Sequence, residues 1–495
     1  VTLKEALKGV ALRSPVPESL GLAPVAGLAY DSRRVQPGYL FFAFPGQRFD
    51  GRSFAPEAIR RGAIAVVAET PQPAEFSGAW IQVEHGRRAL ALAARNLYGA
   101  VLERIAITGI TGTNGKTTTS YLVDSILRAA GKTTALIGTI QYLLAGRPQL
   151  AVNTTPESLD LYEIFGQLAQ LGGTHVTMEV SSHALALGRV HGVPFHTAVF
   201  TNLTRDHLDF HGTMEEYFQA KRLLFHDREA PPPRWAVLNR DDPWADRIQP
   251  EEATGILWFG LCQGAALRAE RIAADFAGLR FDLVLAGRTV PVESPLLGTM
   301  NVYNILAAAG AAVSYGIPAE TIAAGIAACR AVPGRFERID EGQPFLVIVD
   351  YAHTDDALRN LIAAARALAP KRIFTVFGCG GDRDRAKRPL MGQAAGEGSD
   401  FVVLTSDNPR SENPLDIIND ALVGLRRTET PHRVEPDRAA AIRIALAEAG
   451  PGDIVLIAGK GHETYQILRD RTVPFDDREV AREILRSFGY AKEPA

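Results

Sequence analysis

At 495 residues the chain exceeds one ordinary domain, so about two to four are expected. Its 46% hydrophobic and 22% charged residues describe a globular chain with a sizeable core, and a net charge of −3 gives no basic field to recruit nucleic acid. No run approaches the ~18 apolar residues of a membrane span, the opening Val1-Thr2-Leu3-Lys4-Glu5-Ala6-Leu7 lacks a secretory core, and three scattered cysteines fit a reduced, cytoplasmic setting.

Residues 1–98 read as a small α/β unit. Strands are expected over 25–30 and 39–44, separated by the turn Gln36-Pro37-Gly38. A helix over 55–62, a buried strand over 63–68, a loop over 70–74 and a helix over 85–97 complete it.

A second unit is expected over 99–332, continuing the strand–helix alternation. The apolar run Ile105-Ala106-Ile107 leads into Gly109-Ile110-Thr111-Gly112-Thr113-Asn114-Gly115-Lys116-Thr117-Thr118-Thr119, and a helix over 120–127 follows. Glycines let the backbone curl so that several N–H groups face one anion, and the helix N-terminus adds partial positive charge. Lys116 can reach the outer phosphates of a nucleoside triphosphate, and Thr117 can place a hydroxyl on magnesium. The usual spacing wants glycine at 110, where Ile110 stands.

Two later strands end in polar clusters. Glu179 closes an apolar run ahead of Ser181-Ser182-His183 and is a candidate Mg²⁺ ligand, with a helix-capping acid as the plainer alternative. The segment Thr201-Asn202-Leu203-Thr204-Arg205-Asp206-His207-Leu208-Asp209 follows another strand, and His207 is a candidate metal ligand or phosphate contact. Lys221, taken alone, reads as an ordinary surface lysine. Pro231-Pro232-Pro233 reads as a rigid surface loop, and residues 301–315 as an Ala-rich helix.

A third unit, also open α/β, is expected over 333–495, with strands over 345–350, 373–377, 401–405 and 454–458. Three polar loops follow these strands: 378–389, 405–410 and 459–463. Cys379 in the first reads as a structural thiol. Arg383 and Arg410 suit carboxylates, whereas Asp407, Asn408 and Glu463 suit an ammonium group. A zwitterion with more than one carboxylate matches that inventory.

Taken in order, these pieces resemble the Mur ligase family. They are Asp31-Ser32-Arg33, the glycine loop, Asn153-Thr154-Thr155-Pro156, Met178-Glu179-Val180-Ser181-Ser182-His183, the 201–209 segment, Asn301-Val302-Tyr303-Asn304, Pro333-Gly334-Arg335-Phe336-Glu337, Asp350-Tyr351-Ala352-His353-Thr354, Gly378-Cys379-Gly380-Gly381-Asp382-Arg383, Asp407-Asn408-Pro409-Arg410 and Gly459-Lys460-Gly461-His462-Glu463. The shifted glycine in the phosphate loop is the form this family shows.

The resemblance implies three α/β domains: a small N-terminal one, a central parallel-sheet ATPase and a C-terminal Rossmann-like one. It also implies ATP- and Mg²⁺-dependent addition of meso-diaminopimelate to UDP-MurNAc-L-Ala-D-Glu by a monomer. Addition of L-lysine or L-ornithine is the enzymatic alternative, and a nucleotide switch the non-enzymatic one. By matching position, ATP lies on Gly112, Thr113, Asn114, Gly115, Lys116, Thr117 and Thr118, with Asn301, Arg335, Asp350 and His353. Ser32, Gln47, Arg48, Phe49, Asn153, Thr154, Thr155, Ser181 and Arg189 hold the UDP-linked acceptor. Arg383, Asp407, Asn408, Pro409, Arg410, Gly459 and Glu463 hold the amino acid. Thr117, Glu179 and His207 hold magnesium, and Lys221 is the lysine that relatives carry as a carbamate (N6-carboxylysine).

Overall fold

The computed structural model describes residues 1–46 and 50–491. Gln47, Arg48 and Phe49, expected to hold the uridine end of the acceptor, lie outside the described residues. The chain forms two compact units, Val1–Arg268 with Asn304–Gly325, and Ala269–Tyr303 with Ile326–Ala495.

The first unit opens with a four-stranded parallel sheet. Strands Gly27–Ala29, Tyr39–Ala43, Ala65–Ala68 and Trp80–Gln82 lie in chain order. Parallel neighbours need crossovers, and helix Ala55–Arg60 makes one of them. Helix Gly86–Tyr98 follows, capped by His85, whose Nδ1 accepts the Arg88 N–H at 3.4 Å. Its apolar face, with Ala89, Leu90, Ala93 and Ala94, packs into one core with Leu40, Phe42 and Val67 of the sheet.

A larger sheet carries the glycine loop. Across it run Gly255–Gly260, Trp235–Asn239, Thr197–Phe200, Ala106–Thr111, His175–Glu179, Thr134–Ile137, Tyr142–Leu144 and Arg147–Gln149. Ala106–Thr111 sits between Thr197–Phe200 and His175–Glu179, parallel to both, with Ile110 opposite Glu179 and Thr111 opposite Phe200. Three polar strand ends therefore emerge side by side, the arrangement that open parallel sheets use for ligands.

The expected alternation of strands and helices breaks twice. Thr134–Ile137, Tyr142–Leu144 and Arg147–Gln149 form an antiparallel meander, turned at Ala145-Gly146 with both φ positive (49° and 78°). Beyond Trp235, five strands succeed one another with only the 3₁₀ turn Ala245–Arg247 among them. The last pair, Gly278–Leu285 and Arg288–Ser294 in the second unit, is an antiparallel hairpin closed by Ala286-Gly287, again both at positive φ (48° and 78°). Such two-residue turns match the twist of paired strands, but Ala-Gly is a weak sequence signal for them.

The second unit is built on a six-stranded sheet, ordered Glu337–Ile339, Leu346–Asp350, Ile454–Ala458, Ile373–Phe377, Phe401–Leu404 and His432–Val434. Every pair is parallel except the first. Alternate residues feed opposite faces, as the pleat requires. Ile373 and Phe377 join Leu358, Leu361 and Met391 in one core; Phe374 and Val376 join Ala441, Ile442 and Leu485 in the other. Among the described residues no helix is long and apolar enough to cross a membrane.

Candidate active site

The glycine loop is shaped by what its glycines permit. Gly112 has φ +150° and Gly115, capping helix Lys116–Ala129, has φ +86°. A Cβ on Gly112 would fall 1.9 Å from Thr201 Oγ1, and one on Gly115 2.2 Å from Asn304 Oδ1. Ile110 belongs to the buried strand rather than to the loop, so the curl begins at Gly112. The neighbouring strand end straps the loop down. Thr113 N–H donates to Asn202 O (2.9 Å), Asn114 N–H to Asn202 Oδ1 (2.9 Å), and Thr201 Oγ1 to Asn114 O (2.7 Å). Lys116 Nζ donates to Gly112 O and Thr113 O at 2.9 and 3.0 Å.

Glu179 is fully buried, and its carboxylate gathers three donors. Thr117 Oγ1 donates at 2.9 Å, Thr139 N–H at 2.9 Å and Thr139 Oγ1 at 3.0 Å. Glu179 is no helix cap; Ser181 fills that role, accepting from Ala184 N–H at 3.1 Å. Thr139 was not singled out in the sequence. Its only signal is Gly138 before it, where a Cβ would meet Glu179 Oε1 at 2.3 Å.

His207 stands at φ +52°, 3.5 Å from Asp206 Oδ2, and burial pushes its imidazole pKa down. Its ring lies 4.9 Å from that of His183, which burial pushes down to about 4. Lys221 corrects the sequence reading: it is not a surface lysine but 1% exposed, on helix Met214–Arg222. Its Nζ donates to Gly112 O at 2.8 Å and lies 4.5 Å over the Tyr217 ring. Burial first, and then the charge of Lys116, lower its pKa well below the usual lysine value.

The residues expected to hold the acceptor's sugar-peptide portion adjoin this cluster. Thr154 Oγ1 is 3.1 Å from Thr139 Oγ1. Thr155 Oγ1 donates to Glu179 O (2.9 Å) and accepts from Ser181 N–H (3.1 Å). Asn153 O accepts from Tyr142 OH at 2.6 Å. Arg189 donates to Thr155 O (3.0 Å) and Glu157 Oε1 (3.1 Å), and Arg87 reaches that same carboxylate oxygen at 3.2 Å. Arg87 and Glu157 were missed, because neither falls in a recognisable motif. Ser32 is buried and donates to Glu57 Oε2 at 3.0 Å.

In the second unit Asp350 accepts N–H bonds from Phe336 (2.7 Å) and Ala352 (2.8 Å); burial pushes its carboxyl pKa up, with Arg335 opposing. The Arg335 guanidinium lies 4.6 Å over the Tyr351 ring, and His353 packs against the same ring. Asn301 Nδ2 donates to Leu297 O at 2.7 Å. A Cβ on Gly334 would fall 2.1 Å from His462 N, so the segment bearing Arg335 lies directly on the 459–463 loop.

The three polar loops meet as expected. Gly381 N–H donates to Asn408 O (2.9 Å), and Arg410 donates to Gly381 O (2.8 Å). A Cβ on Gly381 would fall 1.9 Å from Pro409 O, and one on Gly459 3.0 Å from Asp407 Oδ2. Asn408 Nδ2 donates to Glu463 Oε2 at 3.0 Å. Arg383 is exposed on its loop. The Cys379 thiol is pushed up to about 12 by burial, which keeps it protonated and inert.

The fold and these clusters define a class. The chain matches the Mur ligase family, catalytic domain, over residues 24–98, the Mur ligase middle domain over 110–312, and the Mur ligase, glutamate ligase domain, over 334–461. It belongs to the Mur ligase family and carries that family's three α/β domains. A relative from Solibacter usitatus (strain Ellin6076), named UDP-N-acetylmuramoyl-L-alanyl-D-glutamate–2,6-diaminopimelate ligase, is 64% identical over 490 residues, 99% of each chain. A relative of the same name from Geobacillus thermodenitrificans (strain NG80-2) is 48% identical over 468 residues, 93% of this chain and 95% of that one. A solved structure, again of that name, superposes with a TM-score of 0.73 at 35% identity, covering 99% of this chain and all of the other. MurF from Thermotoga maritima, solved with ADP, shares the fold at a TM-score of 0.60 and 20% identity.

Proposed function

We propose that this chain is an ATP-dependent ligase of peptidoglycan precursor synthesis, acting in the cytoplasm as a monomer. It joins meso-2,6-diaminopimelate to the D-Glu side-chain carboxylate of UDP-MurNAc-L-Ala-D-Glu. The observation that carries this reading is the double engagement of Glu179. Its side chain takes the hydroxyl of Thr117 from the phosphate loop, and its backbone carbonyl takes that of Thr155 from the acceptor-binding segment. Phosphate site and acceptor site are thereby joined through one residue, as transfer of a phosphoryl group to the acceptor demands.

In this reading the acceptor carboxylate attacks the γ-phosphorus of ATP, and ADP departs. The diaminopimelate amine then adds to the acyl phosphate carbonyl, phosphate leaves, and the amine gives up a proton. Lys116 and the N–H groups of Gly112 to Thr118 stabilise the charge on the transferring oxygens. Arg189, braced by Glu157, and Thr154, Thr155 and Ser181 orient the acceptor. Asn301, Arg335, Asp350 and His353 hold the nucleotide, and Ser32 helps hold the uridine end. Arg410 and Arg383 take the far carboxylate of diaminopimelate, with Asp407, Asn408, Pro409, Gly459 and Glu463 completing that pocket. No protein nucleophile is required, so positioning supplies much of the rate.

The buried oxygen donors around Glu179 suit a hard cation, and Thr117, Glu179 and His207 are the residues that would hold Mg²⁺. When bound, it neutralises charge on the phosphate oxygens. The neutral amine of Lys221 can add to CO₂ and release one proton, giving a carbamate anion in place of a cation.

Phosphate release is the direct test. Release that requires both the UDP-linked dipeptide and a diamino acid, and that favours meso-diaminopimelate over L-lysine and L-ornithine, supports the proposal. Turnover of ATP without either substrate would replace it with a nucleotide switch.

A further inference from the structure

The amino-acid pocket proposed above contains a cation of its own. Lys460 has no exposed side-chain surface, and its three ammonium hydrogens meet three acceptors. Nζ lies 3.1 Å from Glu463 Oε2, 3.2 Å from Asn408 Oδ1 and 3.5 Å from Asp407 Oδ1. Asn408 is held at both ends of its amide: Oδ1 also accepts the Ile467 N–H at 2.9 Å, and Nδ2 donates to Glu463. The Tyr465 ring centre lies 5.7 Å from the ammonium.

Read from sequence, Asp407 and Glu463 are two acidic groups awaiting the ammonium of a substrate. In the structure one of those charges is already answered from within. The buried Asp407 carboxylate and the half-buried Glu463 carboxylate converge on the Lys460 ammonium; without a cation between them they would repel, and a buried charge left unpaired is costly.

We propose that Lys460 is the positioning residue of the amino-acid pocket, a built-in counter-charge that holds Asp407, Asn408 and Glu463 in their binding arrangement and offsets one of the two carboxylate charges they carry. The consequence is a preference in substrate charge. A pocket with one uncompensated carboxylate takes a zwitterion whose second carboxylate finds Arg410. The same pocket without Lys460 carries an extra negative charge, and so favours L-lysine, with its net positive charge, relative to neutral meso-diaminopimelate.

This inference rests on the amino-acid pocket assigned above, and the test separates the two. Lys460→Met keeps the length of the side chain and removes its charge. Loss of a charge-assisted contact raises the KM for meso-diaminopimelate by about tenfold or more, with the KM for ATP within about twofold of the parent. The ratio of kcat/KM for L-lysine to that for meso-diaminopimelate rises at the same time. Arg410→Ala serves as the reference. If it raises the KM for diaminopimelate while Lys460→Met leaves both KM values and the ratio unchanged, or raises the two KM values equally, the role of Lys460 is overturned and the pocket stands. If neither variant affects diaminopimelate, the pocket assignment falls, and this proposal with it. Should Lys460→Met fail to fold, the double variant Lys460→Met/Asp407→Asn removes a carboxylate along with the cation. Its net charge equals the parent's, so the preference between the two amino acids is expected to stay near that of the parent; a shift toward L-lysine in a folded double variant that still binds ATP would refute the counter-charge role.

Discussion

Lys116 and Lys221 donate to the same acceptor, the carbonyl oxygen of Gly112, at 2.9 and 2.8 Å. Two ammonium groups so placed repel, and the one farther from water gives way. Lys221 is the buried one, and burial together with Lys116 depresses its pKa. A lysine that gives up its proton easily is a nucleophilic amine, the form that takes up CO₂. Ligase activity in CO₂-depleted buffer is therefore expected to fall, and bicarbonate to restore it, with intact-protein mass spectrometry reporting a labile CO₂ adduct on Lys221. Lys221→Arg, a permanent cation, removes both the adduct and the bicarbonate response.

The same depressed pKa sets a pH dependence of stability. The unfolded lysine keeps its proton up to its ordinary value of 10.5, while the folded one loses it well below that. Between those two values the unfolded state binds more protons, so stability rises with pH, and the cost of the buried amine grows as pH falls. Lys221→Met is expected to flatten this slope and to be more stable than the parent near neutrality, although ligation is lost. Urea unfolding of both proteins in CO₂-free buffer, at about pH 6 and about pH 9, checks it; a parallel pair of curves contradicts it.

The phosphate loop offers a test that separates crowding from backbone strain. At Gly115 an added Cβ meets Asn304 Oδ1 at 2.2 Å, and the backbone is at φ +86°. Gly115→Ala is expected to cost about 1–3 kcal/mol of stability from the strained φ alone, with crowding added. Gly115→Ala/Asn304→Ala relieves the crowding and leaves the strain. Its thermal midpoint should lie between those of the parent and the single variant, with ATP binding weakened in both variants.

The glycine loop could be read from sequence because its conformation is written locally, in residues a few positions apart. Glu179 and the 201–209 segment were legible for a related reason: apolar runs ending in polar groups mark strand ends, and the sheet order then brings those ends to Ala106–Thr111. What escaped is long-range. Thr139 supplies two of the three donors on Glu179 across a separation of 40 residues. The burial of Lys221 is hidden because Met214–Arg222 is mostly polar and looks solvated; only Tyr217, Phe218 and Ala220 mark the face that turns inward with it. Lys460 was read as part of a polar loop, and nothing in five residues announces that its ammonium folds under the neighbouring strand end.

Arg410 tests the amino-acid pocket independently of the phosphate loop. It stands at φ +51°, fixed by its N–H to Ile467 O (3.1 Å) and its guanidinium to Gly381 O (2.8 Å). Arg410→Ala is expected to raise the KM for meso-diaminopimelate by about tenfold or more, as loss of a charge-assisted contact does, with little change for ATP. Steady-state kinetics with each substrate varied in turn decides it; equal effects on both would remove Arg410 from the pocket.

Behind that pocket lies a fully buried ion pair whose failure should be felt as stability first. Arg438 opens helix Arg438–Glu448 and Asp477 opens helix Asp477–Ser487; both are without exposed side-chain surface. Two parallel bonds of 2.7 Å join them, and Arg438 also donates to Ala458 O at 3.0 Å and Ser406 O at 3.4 Å. Those carbonyls immediately precede Gly459 and Asp407, so the guanidinium anchors the two strand ends that lead into the pocket. Arg438→Met leaves Asp477 buried and unpaired, and is expected to cost about 3–5 kcal/mol. Arg438→Met/Asp477→Leu removes both charges and should recover most of that stability, since apolar replacement of a buried pair is often close to neutral. The double variant still lacks the donors for Ala458 O and Ser406 O. If those contacts hold the pocket in shape, its KM for diaminopimelate stays raised after stability has returned; full recovery of both would make the pair a matter of folding alone.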